Sequence, residues 1–428
     1  MRTIGIDRLM RFLHASDLHL DSPLRGLDRY DGAPVQRLRT ATRSALERLI
    51  DQALGARVDF VLLAGDLYDR DWQDFHTGLF FREQMVRLDR AGIRVFIAQG
   101  NHDAQGVISR QLVLPSNVTV FSSRAAQTVR IDELSVAIHG RSFPDRAVDE
   151  DFVPSYPAPI PGLFNIGMLH TSLTGRVGHD RYAPTDVPTL VAKGYDYWAL
   201  GHVHAREVVS EQPRIVFSGN LQGRHANETG AKGCEQVSVE AGRIEAEFVA
   251  LDVVRWSQLS VPLDGVDRLE AVSDAFRAAL ERVFVGASDR LHAVRVTLTG
   301  ATRLHEEEAR QPGTLAAHIQ AAAQDMSNAE VWVEQVRLEL STPMDRAQAA
   351  LRQDAVGELV RLVDSIAAED LELSRRAQAQ LGDLLGGMPI EVTAGDVPRL
   401  DDPAALRSLL RDAEATVLAR LAAPGGDP

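Results

Sequence analysis

Residues 11–19 read RFLHASDLH, residues 58–66 VDFVLLAGD and residues 94–103 RVFIAQGNHD. In each, a short apolar run stops on a cluster of Asp, His or Asn. The same happens in LFNIGMLH at 163–170 and YDYWALGHVH at 195–204. Apolar runs of this length, rich in β-branched and aromatic residues and bounded by glycine and polar groups, fit buried strands. Open α/β folds build their sites at the carboxyl ends of strands. Five strand ends carrying such groups therefore predict one site on an α/β scaffold.

Working outward, strands are expected at Arg11–Ala15, Val58–Ala64, Arg94–Ala98, Val118–Phe121, Ser135–His139, Leu163–Leu169, Tyr195–Leu200 and Arg214–Phe217. Val35, Leu38, Ala45, Leu46 and Leu49 recur at helical spacing within 33–54, and 74–90 gives a second helix. Strands alternating with helices, then following one another, indicate a layered α/β sandwich. From about Trp256 the pattern becomes strand, helix, strand, helix, strand (258–263, 268–283, 292–298, 313–325, 331–340). After Pro343 it becomes Ala/Leu-rich helices at 345–366, 369–385 and 403–421. The expected organisation is an extension over 1–9 ahead of a second methionine, Met10, then a catalytic domain over 10–254. A small α+β cap over 255–342, with no cluster of metal-binding residues, and a helical segment over 343–428 follow.

A chain of 428 residues calls for more than one domain. No apolar run approaches the roughly 20 residues that span a bilayer, and the first residues lack the pattern of a secretory signal. A single cysteine, Cys234, excludes an intramolecular disulfide and points to the cytoplasm. The net charge of −14 is awkward for a protein that grips phosphate. However, residues 301–428 hold 22 acidic and 12 basic side chains, so most of the excess lies away from the five clusters. With Lys193 and Lys232 the only lysines, basic contacts fall to arginine.

Imidazole, carboxylate and amide oxygens without thiolate suit borderline-to-hard divalent ions such as Mn, Fe or Zn. Two such ions bridged by one carboxylate clamp a phosphodiester and activate water at neutral pH. The ordered set D-x-H, GD, GNHD, H and GHxH over 14–204 resembles the signature of the calcineurin-like metallophosphoesterases. That resemblance implies two mixed β-sheets flanked by helices, and two divalent metal ions. It implies Asp17, His19 and His204 as ligands of one ion, Asn101, His170 and His202 of the other, and Asp66 as the bridge. His102 becomes the catalytic histidine acting at the leaving oxygen, with Asp103 orienting it.

The segments ASDLHLDSPL, GDLYDRD, HTSLTGRVGHDRYAP and SGNLQGRHANETGAKGC further resemble SbcD-type DNA repair exonucleases, most closely the YhaO-like branch. That likeness implies a Mn-dependent 3′→5′ exonuclease acting on DNA, with possible endonuclease activity. It also implies an SbcC-like or YhaN-like ABC ATPase docked on the C-terminal helices, and a homodimer. Asp69 departs from the pattern, since relatives often carry a further active-site histidine there. Asn220, Arg224 and His225 are candidate nucleic-acid contacts, whereas His14 reads as a buried structural histidine, and His139 and His179 call for the same caution. The alternative is a phosphatase or phosphodiesterase acting on a non-DNA ester; a non-catalytic scaffold is a further one.

Overall fold

The computed structural model describes residues 9–22, 33–69, 75–104, 112–173, 182–283, 289–327, 329–367, 370–386, 400 and 402–422. The chain runs β1 (Met10–Ala15), α1 (Val35–Ala56), β2 (Phe60–Leu63), α2 (Phe75–Arg90), β3 (Arg94–Ile97), β4 (Val118–Val120), β5 (Gln127–Ile131) and β6 (Val136–Gly140). Next come β7 (Phe164–His170), α3 (Val187–Ala192), β8 (Tyr197–Gly201), β9 (Glu207–Glu211), β10 (Arg214–Phe217), β11 (Gly233–Glu240) and β12 (Arg243–Ala250). These strands form two six-stranded sheets, ordered β12-β11-β1-β2-β3-β4 and β5-β6-β7-β8-β10-β9. In the first, β1 to β4 are parallel and β11 and β12 add on antiparallel. In the second, β6, β7, β8 and β10 are parallel, flanked by antiparallel β5 and β9. Both sheets are mixed, as the sequence led one to expect.

Two-residue alternation along the apolar runs sets the layers. Phe12, Phe60, Leu62 and Phe96 join Ile138, Met168 and Tyr197 in the core between the sheets. Their neighbours Leu13, Val61, Leu63, Val95 and Ile97 instead meet Leu46 and Leu49 of α1 and Met85 of α2. On β8, Tyr197 and Ala199 face the shared core while Trp198 and Leu200 pack with Phe152 and Tyr156 on the outer side. Phe12 stacks on Phe60 at 5.0 Å and meets Tyr197 edge-on at 5.3 Å, so aromatic contacts tie the sheets together. A one-residue slip in register would turn each of these side chains to the wrong layer.

A second compact unit comprises residues 258–288 and 294–428, the remainder forming the first. It is built on β13 (Val254–Pro262), α4 (Leu269–Glu281), β14 (Leu291–Ala301), α5 (Leu304–Arg310), α6 (Thr314–Gln324) and β15 (Glu330–Ser341). The sheet order is β13-β14-β15, covered by Val272 and Phe276 of α4 and Ile319 of α6. The helices α7 (Arg346–Ala350), α8 (Ala355–Ala367), α9 (Asp370–Gly386) and α10 (Pro403–Ala422) belong to this same unit. The single helix expected over 345–366 is two, because Asp345 and Asp354 each accept from a backbone amide three residues on and start separate helices. No helix among the described residues is long and apolar enough to cross a membrane. Residues 1–8, part of the expected extension, lie outside the described residues.

His14 shows what the inter-sheet core costs a titratable group. It is fully buried on β1; Nδ1 accepts from the Tyr197 hydroxyl (3.0 Å) and Nε2 donates to the Leu200 carbonyl (3.2 Å). Burial pushes the ring down to about 4. The unfolded chain therefore takes up a proton near pH 6.5 while the folded chain refuses it until about pH 4. Stability is complete above that window and declines as pH falls through it. His14→Gln should lessen the loss of unfolding free energy between neutral and acid pH by about 3 kcal/mol. Urea titrations at both ends of the window measure this; parallel losses in variant and parent would contradict it.

Candidate metal centre

Parallel strands of one sheet present their carboxyl ends on a common edge. Here β1 hands over Asp17 and His19, β2 hands over Asp66, and β3 hands over Asn101, His102 and Asp103. From the other sheet, β7 ends on His170 and β8 on Gly201, ahead of His202 and His204. The two edges lock together: the His202 amide donates to both carboxylate oxygens of Asp17 at 3.0 and 3.2 Å, and His170 Nδ1 donates to the Ala64 carbonyl at 3.0 Å. A Cβ on Gly201 would lie 1.8 Å from that carbonyl oxygen, so only glycine permits the approach. The backbone is strained where the ligand-type residues sit, with φ of 52° at Asp17, 43° at His19, 48° at Asp66 and 100° at His202. The Asp17 and His19 amides hold this shape by donating to the Gly65 and Asp66 carbonyls, each at 3.0 Å.

Two groups of the expected kind result, Asp17 with His19 and His204, and Asp66 with His170 and His202, and a third, His19 with Asp69 and His102, overlaps the first at His19. Asn101 joins the second through Oδ1, 2.9 Å from His170 Nε2. The seven residues expected as ligands thus come together. Asp66 Oδ2 lies 3.4 Å from His170 Nε2 and 3.9 Å from His19 Nε2, within reach of both groups. His19 Nε2 and His204 Nε2 face one another at 3.2 Å, and Asp17 Oδ1 is 3.9 Å from the latter.

The donor set fits divalent cations. His170 spends its Nδ1 hydrogen on Ala64, which turns the lone pair of Nε2 toward the oxygens of Asn101 and Asp66. Converging acceptors of this kind need a cation among them. In the metal-free chain a proton takes that place on Nε2: burial opposes charge on His170, yet the Asp66 carboxylate outweighs it and pushes the ring up to about 9. Burial likewise opposes ionisation of Asp66, but His170, His102 and His19 together hold its carboxyl well below the usual range. His19 goes the other way, pushed down to about 4 by burial and by the Arg224 guanidinium.

The structure corrects one expected partnership. Asp103 does not orient the His102 ring, because its oxygens are taken by the amides of Leu67 (2.9 Å), Tyr68 (3.1 Å) and Gly100 (3.1 Å). The carboxylate at the ring is Asp69, whose Oδ1 lies 2.7 Å from His102 Nδ1 and 3.6 Å from His19 Nδ1. The residue that departs from the expected histidine therefore faces the imidazole itself. The His102 amide donates to Asp66 Oδ1 at 2.9 Å, fixing this loop to the central carboxylate.

Asn220, expected at the substrate, is fully buried and gives its amide hydrogens to the Gln222 carbonyl and Glu228 Oε2, so it braces a loop instead. Arg224 does reach the site, 3.6 Å from Asp69 Oδ2, while His225 is largely exposed beside Glu228. Glu228, which accepts from His204 Nδ1 at 2.7 Å, was not foreseen; it stands 24 residues along the chain, and no local motif announces the pairing. His139 is a structural histidine between Thr128 and Asn165, and His179 lies outside the described residues.

The comparisons agree with this geometry. Residues 10–206 match the family model of the calcineurin-like phosphoesterases, and residues 256–341 match that of the middle domain of metallophosphoesterase YhaO. The uncharacterised metallophosphoesterase YhaO of Bacillus subtilis is 35% identical over 337 residues, covering 78% of this chain and 82% of the relative. The chain belongs to the calcineurin-like metallophosphoesterases. A more distant relative is the DNA double-strand break repair protein Mre11 of Methanopyrus kandleri, 26% identical over 214 residues. That match covers 46% of this metallophosphoesterase and less than half (44%) of the relative. Among solved structures, TT1561 of Thermus thermophilus covers 56% of this chain and 99% of its own at 13% identity and a TM-score of 0.33. A dimetal phosphatase from Danio rerio covers 56% and 96% at 12% identity and a TM-score of 0.36. Metallophosphoesterases of this family bind divalent metals, and the two Asp/His groups are this chain's candidates for them.

Asp103 offers a test of the loop architecture apart from any chemistry. Asp103→Ala strands three buried amides and should lower the stability of the metal-free protein by at least about 1–3 kcal/mol. Urea unfolding in chelator reads the loss directly. An unchanged midpoint would mean those amides find other acceptors.

Proposed function

We propose that this metallophosphoesterase is a Mn-dependent DNA exonuclease that works with an SbcC-like or YhaN-like ABC ATPase. The observation that carries the reading is the position of Asp66, with one oxygen tied to the His102 loop and the other within reach of both donor groups. That arrangement suits hydrolysis of a phosphate ester. Two divalent cations, when bound, supply Lewis acidity toward the phosphoryl oxygens and an activated water. Asp17, His19 and His204 would hold one, Asn101, His170 and His202 the other, and Asp66 both. His102 holds a proton for the leaving oxygen, with its Nδ1 turned to Asp69 so that Nε2 is the atom that acts.

DNA as substrate is supported by likeness to a relative named as a DNA double-strand break repair protein. Exonucleolytic 3′→5′ polarity, docking of the ATPase on α8 to α10, a homodimer and a cytoplasmic setting belong to the same proposal. Exposed Leu362 and Val417 on α8 and α10 agree with a docked partner.

Incubation of the full chain with Mn and end-labelled linear DNA, beside Asp66→Asn and His102→Ala, tests the proposal. Metal-dependent shortening is expected, with His102→Ala losing about 10²–10⁴-fold in rate while keeping its metal content. Rapid hydrolysis of a chromogenic phosphodiester with no shortening of DNA would assign the site to another phosphate ester.

A further inference from the structure

Glu228 lies beyond residues 10–206, the part of the chain that matches the family model, yet its carboxylate is placed at the metal centre. Four donors converge on its two oxygens. Oε1 accepts from His204 Nδ1 at 2.7 Å and from an Arg224 guanidinium nitrogen at 3.2 Å. Oε2 accepts from the Arg224 backbone amide at 2.7 Å and from Asn220 Nδ2 at 3.0 Å. Only an ionised carboxylate offers acceptors on both sides; a glutamine would turn its NH₂ toward one of these donor pairs.

We propose that Glu228 is the positioning residue of this centre, one carboxylate that sets the His204 ring and the Arg224 guanidinium together. The proposal rests on the metal-site reading given above.

The first consequence concerns the ring. An acceptor at Nδ1 holds the proton there, so the lone pair of His204 sits on Nε2, the nitrogen 3.2 Å from His19 Nε2 and 3.9 Å from Asp17 Oδ1. Without that acceptor the neutral ring is free to carry its proton on Nε2, where it would block ligation. Lys232 Nζ, donating to the His204 carbonyl at 2.8 Å, holds the backbone of the same residue but leaves the ring's proton alone.

The second consequence concerns the far side of the site. Arg224 reaches from Glu228 to within 3.6 Å of Asp69 Oδ2, and Asp69 faces His102 Nδ1 at 2.7 Å. A continuous series, His204, Glu228, Arg224, Asp69 and His102, thus joins a proposed ligand to the proposed proton donor. The guanidinium balances the buried Glu228 and the partly exposed Asp69, two carboxylates that would otherwise repel, and in doing so keeps each turned toward its own imidazole.

Two measurements test the proposal. Calorimetric titration of metal-free full-length protein with Mn should show two binding events in the parent. In Glu228→Gln and Glu228→Ala one of the two should weaken by about 10–100-fold while the other holds. Thermal unfolding of the metal-free variants shows whether each still folds. Independently of any Glu228 variant, ¹⁵N-histidine NMR of the metal-free parent at about pH 8 should report the Nδ1–H form for the ring whose signals vanish in His204→Gln. Folded variants that bind Mn at both sites as tightly as the parent, or an Nε2–H form for that ring, would overturn the positioning role and leave the metal site standing. A parent that takes up no Mn would instead sink the metal-site reading, and this proposal with it.

Discussion

The Asp66 carboxylate stands where the carboxyl edges of the two sheets meet, and the rest of the site is arranged around its charge. One oxygen accepts from the His102 amide and the other faces His170 and His19 from opposite groups. Holding it there requires a left-handed backbone that an aspartate adopts at a cost of roughly 1–3 kcal/mol. Three further residues of the site, Asp17, His19 and His202, share that conformation. Such strain persists because the parallel strands beneath are fixed by their alternating packing, so the loops above cannot relax without slipping a register. The core between the sheets and the site at their edge are therefore one design.

Electrostatics follows the same logic. The site gathers three carboxylates, Asp17, Asp66 and Asp69, among imidazoles, and Glu228 lies just behind them. Burial alone would neutralise Asp66, Asp69 and Glu228, yet each is held in its ionised form by neighbouring imidazole or guanidinium groups. A pocket built this way attracts cations and repels phosphate until cations arrive. In a chain of net charge −14, divalent cations bound there would bring positive charge to the phosphate of an anionic substrate.

Much of this was legible in the sequence, for identifiable reasons. The central strands announced themselves because parallel strands buried on both faces are short, uninterrupted apolar runs, and the ligand clusters directly follow them. The strands β5, β9, β11 and β12 escaped notice because Glu, Arg, Gln, Ser or Thr recur along them and dilute the apolar signal; β5, β9 and β12 lie at sheet edges, while β11 is interior. Neighbourhood along the chain misled in one place. Asp103 adjoins His102 in sequence but turns back to three loop amides, while Asp69, brought in from the end of β2, faces the ring. Glu228 and the buried fate of Asn220 depend on how a loop after β10 folds against β8, which no spacing rule encodes.

The central claim is that the two Asp/His groups form one binuclear centre bridged by Asp66. Anomalous diffraction from crystals of the full chain grown with Mn addresses it directly. The account predicts two peaks about 3.5–4 Å apart, one on each side of the Asp66 carboxylate. A single peak, or peaks that do not share Asp66, would contradict it.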